Sequence, residues 1–195
     1  NAQQYLGYLS VKSYGAVGDG TTNDTAAVQA ACDAAPSTGG AVYFPPGTYK
    51  LVTSALTLKS NLTLLGAGTH ASIIKQTTTT VSALTGVDIT NLTIRDLQIQ
   101  GPNSGSGHGI SLTRSSNPNT RYIRMDNVYI RQFGGDGLAI SNCIVSAFDQ
   151  VVAENCNRGF RLYGVTAGAA GTCGTRLYRH RVVNAHDGVR DAELG

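Results

Sequence analysis

The chain has 195 residues, enough for one domain that buries about 70% of its unfolded surface and needs no disulfide or metal to fold. Glycine is abundant at 24 residues, whereas charged residues make up 14% of the chain, against about 25% in an average domain. This composition predicts a turn-rich β protein and excludes disorder. The net charge of +3 is too small to indicate a nucleic-acid partner, and no apolar run approaches the length of a membrane span.

The first predicted element in the chain is a helix. Residues 1–4 lack the charged start and apolar core of a signal peptide, so we expect a mature form or an excised fragment. Asn23 and Asp24 are helix-capping types, and the alanine-rich run that follows predicts a helix over 24–35, ended by Pro36. A strand is predicted over 41–44 before the next prolines stop it.

After position 50 short alternating strands recur without any helical period. One series is a glycine followed by a strand, and the other is a strand that precedes each glycine. The first series starts at Gly109, Gly137, Gly159 and Gly188, and the second starts at Leu97, Val128, Val151 and Val182. A shared period without a helix predicts an all-β fold, a right-handed parallel β-helix. We expect residues 1–49 to form an N-terminal cap and first coil, with helix 24–35 as the cap, and 50–195 to form about six coils.

The N-terminal sequence resembles the signature of the pectate-lyase superfamily. Residues 11–31 read VKSYGAVGDGTTNDTAAVQAA, and residues 39–49 read GGAVYFPPGTY. They look like the openings of polygalacturonases and of phage tailspike depolymerases. The resemblance implies a parallel β-helix that binds polysaccharide along its sheets, at an extracellular or virion-surface location, and in tailspikes as a homotrimer.

A second local similarity concerns the polygalacturonase motifs. Residues 107–109 look like the Gly-His-Gly motif of that family, and residues 134–137 look like its paired-aspartate motif. The order of the two motifs is reversed here, and Gly137 replaces the second aspartate. We therefore do not predict polygalacturonase activity for this chain.

Stacked coils place equivalent residues in columns, and one column carries titratable groups. Alignment on the glycines places together His108, Asp136, Arg158 and Asp187. The outward positions that follow are Ser111, Ala139, Arg161 and Arg190. Carboxylates supply acid and base, and guanidinium groups hold the carboxylate of a uronate sugar. We predict Asp136 as the acid, Asp187 as the base and His108 as a further catalytic group, with Arg158, Arg161 and Arg190 binding substrate. Asp-Gly turn chemistry is the alternative account of this column.

Other candidates lie beside this column. Tyr129 is predicted to face outward as a stacking platform for sugar, unless it only packs on its neighbours. Arg131 aligns with Glu154, either as a site or as a surface ion pair. His180 aligns with Asp126 and Asp149, whereas His70 and His186 fit no constellation.

The cysteines and acids indicate no metal centre. The four cysteines lack CxxC spacing, and the chain has no acidic cluster suited to calcium, so we expect no metal and no cofactor. Cys143 and Cys173 are one long coil apart, which predicts that they are close and allows a disulfide.

Together these features predict a polysaccharide-degrading protein, a glycoside hydrolase or lyase acting on an acidic polysaccharide, either secreted or on a phage tail. The alternative is a non-catalytic carbohydrate-binding or structural β-helix segment. Release of reducing ends or unsaturated products from uronate-rich polysaccharides separates the two.

Overall fold

The chain winds into a parallel β-helix of about six coils. The computed structural model describes residues 7–115, 121–164, 175–185 and 187–192. Within these ranges every strand pairing is parallel. The all-β prediction is confirmed, and its handedness stays a prediction. Among the described residues, no helix is long and apolar enough to cross a membrane.

The strands form an eleven-stranded and a six-stranded sheet. The larger sheet contains β1 (Tyr8–Ser10), β2 (Asp19–Asn23), β3 (Gly40–Phe44), β4 (Gly47–Leu51), β6 (Leu62–Gly66), β7 (Ser72–Gln76), β9 (Thr90–Gln100), β11 (Arg121–Arg131), β13 (Ala147–Glu154), β15 (Arg176–Tyr178) and β16 (Arg181–Val183). The smaller sheet contains β5 (Leu56–Thr57), β8 (Leu84–Val87), β10 (Ile110–Thr113), β12 (Asp136–Ser141), β14 (Arg158–Tyr163) and β17 (Asp187–Ala192).

Each central coil presents three faces. The long strands β9, β11 and β13 bend near their middle, at Asp96, Asn127 and Gln150, each of which has positive φ. Asn and Asp tolerate this left-handed conformation better than most residues. We call the part of these strands before the bend the first face, the part after it the second face, and the six-stranded sheet the third face.

The core lies inside the stack of coils. Inward side chains occupy equivalent positions on successive strands and are fully buried: Leu97, Val128 and Val151, then Ile99, Ile130 and Ala153. Adjacent coils are about 4.8 Å apart, the spacing of neighbouring strands, so each apolar side chain contacts its equivalent above and below. This stacking explains why the same residue types recur once per coil.

The helix α1 covers Thr25–Ala34, close to the predicted 24–35. Its buried side chains are Val28, Ala31 and Cys32, on one small apolar stripe. The carboxylate of Asp24 accepts hydrogen bonds from the backbone amides of Val17 and Gly18 at 2.7 and 3.0 Å. These bonds fix the segment before the helix; the role of α1 as an end cap, like the domain boundary at 49/50, stays a prediction.

The register confirms the glycine series and most of the second series. Ile110 pairs with Leu138, Leu138 with Phe160, and Phe160 with Val189. Leu97, Val128 and Val151 are likewise in register.

The last coil of the second series differs from the prediction. Val182 pairs with Ala153 and not with Val151, because His180 occupies the position equivalent to Val151. The His180 ring lies against Phe160, with ring centroids 5.9 Å apart. The alignment of His180 with Asp149 is also wrong, since Tyr178 is the residue in register with Asp149. The offset of two residues could not be predicted, because a histidine and not an apolar residue occupies the position equivalent to Val151.

The glycines of the first series lie where the backbone approaches the core. A Cβ added at Gly109 would lie 2.4 Å from Ile130 Cγ2 and 2.5 Å from the Gly137 carbonyl oxygen. A Cβ at Gly137 would lie 2.8 Å from the Gly159 carbonyl oxygen. Glycine therefore recurs because these corners leave no room for a side chain.

Candidate functional site

The predicted column of titratable residues forms at the start of the third-face strands. Asp136 is in register with Arg158, and Arg158 with Asp187. The pairing of Ile110 with Leu138 places His108 one coil before Asp136. The side chains of Asp187 and Arg190 lie outside the described residues, as does His186. The cluster that can be described is His108, Asp136, Arg158 and Arg161.

The carboxylate of Asp136 is the centre of this cluster. Arg158 donates from Nε to Oδ1 at 2.5 Å and from Nη2 to Oδ2 at 3.3 Å, and Arg161 Nη1 lies 3.8 Å from Oδ2. The Asp136 side chain is 0% exposed and does not open to solvent, whereas its role as the acid stays a prediction. The two arginine side chains cover it and keep 27% and 34% of their own surface exposed. The carboxylate therefore organises the two guanidinium groups.

The imidazole ring of His108 contacts the backbone amide of Asp136. The Asp136 backbone amide donates to His108 Nδ1 at 2.8 Å. Because Nδ1 accepts this bond through its lone pair, the neutral ring carries its proton on Nε2. The Nδ1–Oδ2 distance of 3.6 Å is consequently not an ion pair. Burial lowers the pKa of His108, outweighing the opposite effect of the Asp136 charge, and the two arginines lower it further. His108 is a neutral donor at pH 7.

Two glycines make this close packing possible. A Cβ on Gly135 would lie 2.6 Å from His108 Nδ1, and a Cβ on Gly134 would lie 2.0 Å from the Gly105 carbonyl oxygen. The turn before Asp136 therefore lies directly on the turn before His108. The Gly-Gly-Asp-Gly sequence at 134–137 is explained by this packing.

Beyond the cluster the third face is cationic and partly aromatic. The Arg161 guanidinium carbon lies 4.2 Å from the centroid of the Tyr163 ring, a cation–π contact that fixes its direction. Ser111 is partly exposed, whereas Ala139, expected on the surface, is only 2% exposed. With two guanidinium groups, one carboxylate and a neutral imidazole, the cluster carries a net charge of +1 and suits an anionic ligand.

Tyr129 does not lie with this cluster. It is on the second face, beside a groove of about 330 Å³. Its ring contacts His70, with ring centroids 5.8 Å apart, and Arg131, whose guanidinium carbon lies 5.7 Å from the ring centroid. Sequence reasoning missed His70, which lies three residues before Ile73, in an irregular corner that carries no repeat signal.

Arg131 and Glu154 are in register on adjacent coils, as predicted. The alternative that they form a surface ion pair is wrong, since no ion pair joins them within the described part of the chain.

Cys143 is a buried free thiol, whereas Cys173 lies outside the described residues, so their proximity stays a prediction. No group of three or more potential metal ligands occurs in the described ranges.

Known proteins share this architecture. Residues 8–91 match the family model described as rhamnogalacturonase A/epimerase, pectate lyase-like. Mannuronan C5-epimerase AlgE1 of Azotobacter vinelandii is 33% identical over 77% of this chain and 12% of its own length. Depolymerase 1, capsule KN3-specific, of Klebsiella phage KN3-1 is 27% identical over 94% of this chain and 25% of its own length. ORF18 of Geobacillus virus E2 superposes with a TM-score of 0.78 at 22% identity, covering 94% of this chain and 40% of that one.

The fold is that of a parallel β-helix, and residues 8–91 are similar to the pectate-lyase-like family. The chain spans a quarter or less of the length of the curated relatives named here.

Proposed function

We propose that this chain is part of a polysaccharide-acting β-helix protein that binds an acidic polysaccharide on its third face. The observation that carries the proposal is the pair of partly exposed guanidinium groups, Arg158 and Arg161, held on the buried carboxylate of Asp136. A guanidinium binds a planar carboxylate in a bidentate way, so a uronate sugar is the matching ligand. The similarity to a mannuronan epimerase supports a uronate-containing substrate, and the similarity to a capsule depolymerase supports a polysaccharide substrate.

The arrangement suits chemistry at the carbon next to a uronate carboxylate. A guanidinium that neutralises this carboxylate makes the C5–H bond more acidic, so a base can remove the proton. Return of a proton to the opposite side of C5 inverts the sugar. Expulsion of the O4-linked sugar instead breaks the chain and leaves a C4–C5 double bond. Both outcomes begin with the same proton removal.

Each residue has a distinct role in this proposal. Arg161, with Arg190 one coil further on, holds the uronate carboxylate, and His108 donates its Nε2 proton to a substrate oxygen. Asp136 orients Arg158 and Arg161 from below the surface. Asp187, whose backbone is in register with Arg158, is the proposed base.

A second candidate function is non-catalytic glycan binding. This function is favoured because two titratable groups of the cluster are already engaged within the protein. The Asp136 carboxylate is fully buried, and Nδ1 of His108 accepts a hydrogen bond from a backbone amide. For either function we propose an extracellular or virion-surface location and a homotrimer, on the basis of the phage relatives.

The experiment is incubation of the full 195-residue chain with mannuronan and with an acidic capsular polysaccharide. Reducing ends report hydrolysis, ultraviolet absorbance reports unsaturated uronate, and proton NMR reports the configuration at C5. Binding is measured separately by calorimetry. Arg161→Gln should weaken binding about tenfold or more, whereas Arg124→Gln, an exposed arginine on the first face, should not change it.

The outcomes separate the two candidates. Product from the wild type and none from Asp187→Asn supports the enzymatic proposal, whereas binding without product supports the non-catalytic one. Absence of both binding and product with every acidic polysaccharide overturns the proposed function.

A further inference from the structure

A groove on the second face lies on a different sheet from the arginine cluster. We call it the Tyr129 groove; its volume is about 330 Å³. Its lining includes His70, Asn127, Tyr129, Gln150, Glu154 and Arg181. The mixture of one aromatic ring, amides and charges of both signs is typical of sugar sites, in which a few polar groups fix the orientation of the ligand.

The ring of Tyr129 is ordered by contacts with two neighbouring side chains. The His70 ring is inclined to it by 36°, and the Arg131 guanidinium lies over it. His70 is itself fixed, since its Nδ1 lies 3.1 Å from the Thr69 hydroxyl. An aromatic ring that is ordered before binding loses little conformational entropy when a ligand stacks on it.

The polar groups around this ring have unused hydrogen-bonding capacity. The Glu154 carboxylate lines the groove and has no hydrogen bond or ion pair within the described part of the chain, although Arg131 is directly opposite on the adjacent coil. The Glu154 carboxylate is therefore available to accept hydrogen bonds from a ligand in the groove.

We propose that the Tyr129 groove is a second glycan-binding site that takes one pyranose unit with adjacent hydroxyl groups. The C–H face of the sugar stacks on Tyr129, and two neighbouring hydroxyls donate to the Glu154 carboxylate. A ring or hydroxyl oxygen accepts from Arg181, which lines the same groove. The ligand class rests on the proposed function, but the residues and the face are separate from those of the third-face site.

The absence of tryptophan from the chain permits a direct test. Tyr129→Trp keeps a stacking ring and introduces a single fluorescent indole into the groove. The probes are a mannuronate hexasaccharide and a neutral cellohexaose. We expect a saturable change in the fluorescence of this indole, and an affinity lowered about tenfold when Glu154→Gln is added. Tyr122→Trp, at an exposed corner, is the matched control and should not respond.

The two proposals fail in distinguishable ways. Arg161→Gln should leave the fluorescence response of the Tyr129→Trp variant intact, because the guanidinium lies on the third face. If the polymer binds through Arg161 while the indole in the groove responds to neither probe, the second site is overturned and the proposed function stands. An unchanged affinity in the Glu154→Gln variant also overturns the assigned hydroxyl contacts.

Discussion

Arg158 and Asp136 form a two-point ion pair between adjacent coils, at 2.5 and 3.3 Å. The partners are unequal in their access to water: the aspartate side chain is 0% exposed and the arginine side chain is 27% exposed. The loss of one partner therefore strands either a buried carboxylate or a partly hydrated guanidinium. These two states differ in free energy because the cost of an unpaired charge rises with its burial.

The first prediction follows from this asymmetry. Arg158→Gln should lower the free energy of unfolding by about 3–5 kcal/mol, and Asp136→Asn by about half as much. Urea unfolding followed by circular dichroism measures both. Arg95→Gln is the control, because Arg95 lies 3.5 Å from Asp126 with 48% of its side chain exposed and should contribute about 0–1 kcal/mol. A larger loss in Asp136→Asn than in Arg158→Gln would contradict this ranking.

The second prediction concerns pH. Burial lowers the pKa of His108 below its ordinary value of 6.5, so the unfolded chain takes up a proton at a higher pH than the folded chain. Between these two pKa values the unfolded state binds more protons, and the stability contributed by the neutral ring is lost as the pH falls below about 6.5. Unfolding free energies should therefore fall more steeply from about pH 7.5 to about pH 5.5 in the wild type than in His108→Gln. His108→Gln keeps the hydrogen bond, because the glutamine side-chain carbonyl can still accept from the Asp136 amide. An equal pH dependence of the unfolding free energy in both proteins would contradict the lowered pKa of His108.

The third prediction tests the corner glycines. Gly109→Ala should destabilise the fold by about 3 kcal/mol, because the added methyl group would meet Ile130 Cγ2 at 2.4 Å inside a packed core. Gly164→Ala is the matched substitution without a clash, since its nearest contact is Asn142 Oδ1 at 3.7 Å. Differential scanning calorimetry should show a lower Tm for the first variant alone. Similar Tm values for both would show that the corner relaxes freely.

The fourth prediction concerns a strained exposed corner. Asn61, Asn91, Tyr122 and Val145 stack at this corner, and all have positive φ. A β-branched residue is a clear outlier in this conformation, and Val145 is 55% exposed, so little packing offsets its strain. Val145→Asn should raise the free energy of unfolding by about 1 kcal/mol, as measured by urea unfolding. A destabilised variant would mean that the valine side chain makes contacts that outweigh the strain.

The parts of the fold that recur once per coil could be predicted from the sequence. Gly109 and Gly137 mark equivalent corners because a side chain does not fit there, and this placed His108 next to Asp136. The burial of Asp136 could not be predicted, since it depends on how two long arginine side chains fold back over it. The contact between His70 and Tyr129 was also missed, because an irregular corner has no equivalent in the next coil.

The corners of the coil differ in how much length they tolerate. The bend between the first and second faces takes one residue at Asp96, Asn127 and Gln150. The corner that precedes the third-face strands varies in length, and it spans 101–109, 132–135 and 155–157 in successive coils. Variation in length is therefore found next to the arginine cluster, while the bend before Tyr129 keeps its spacing. The length of this corner can therefore change beside the arginine cluster without repacking of the core.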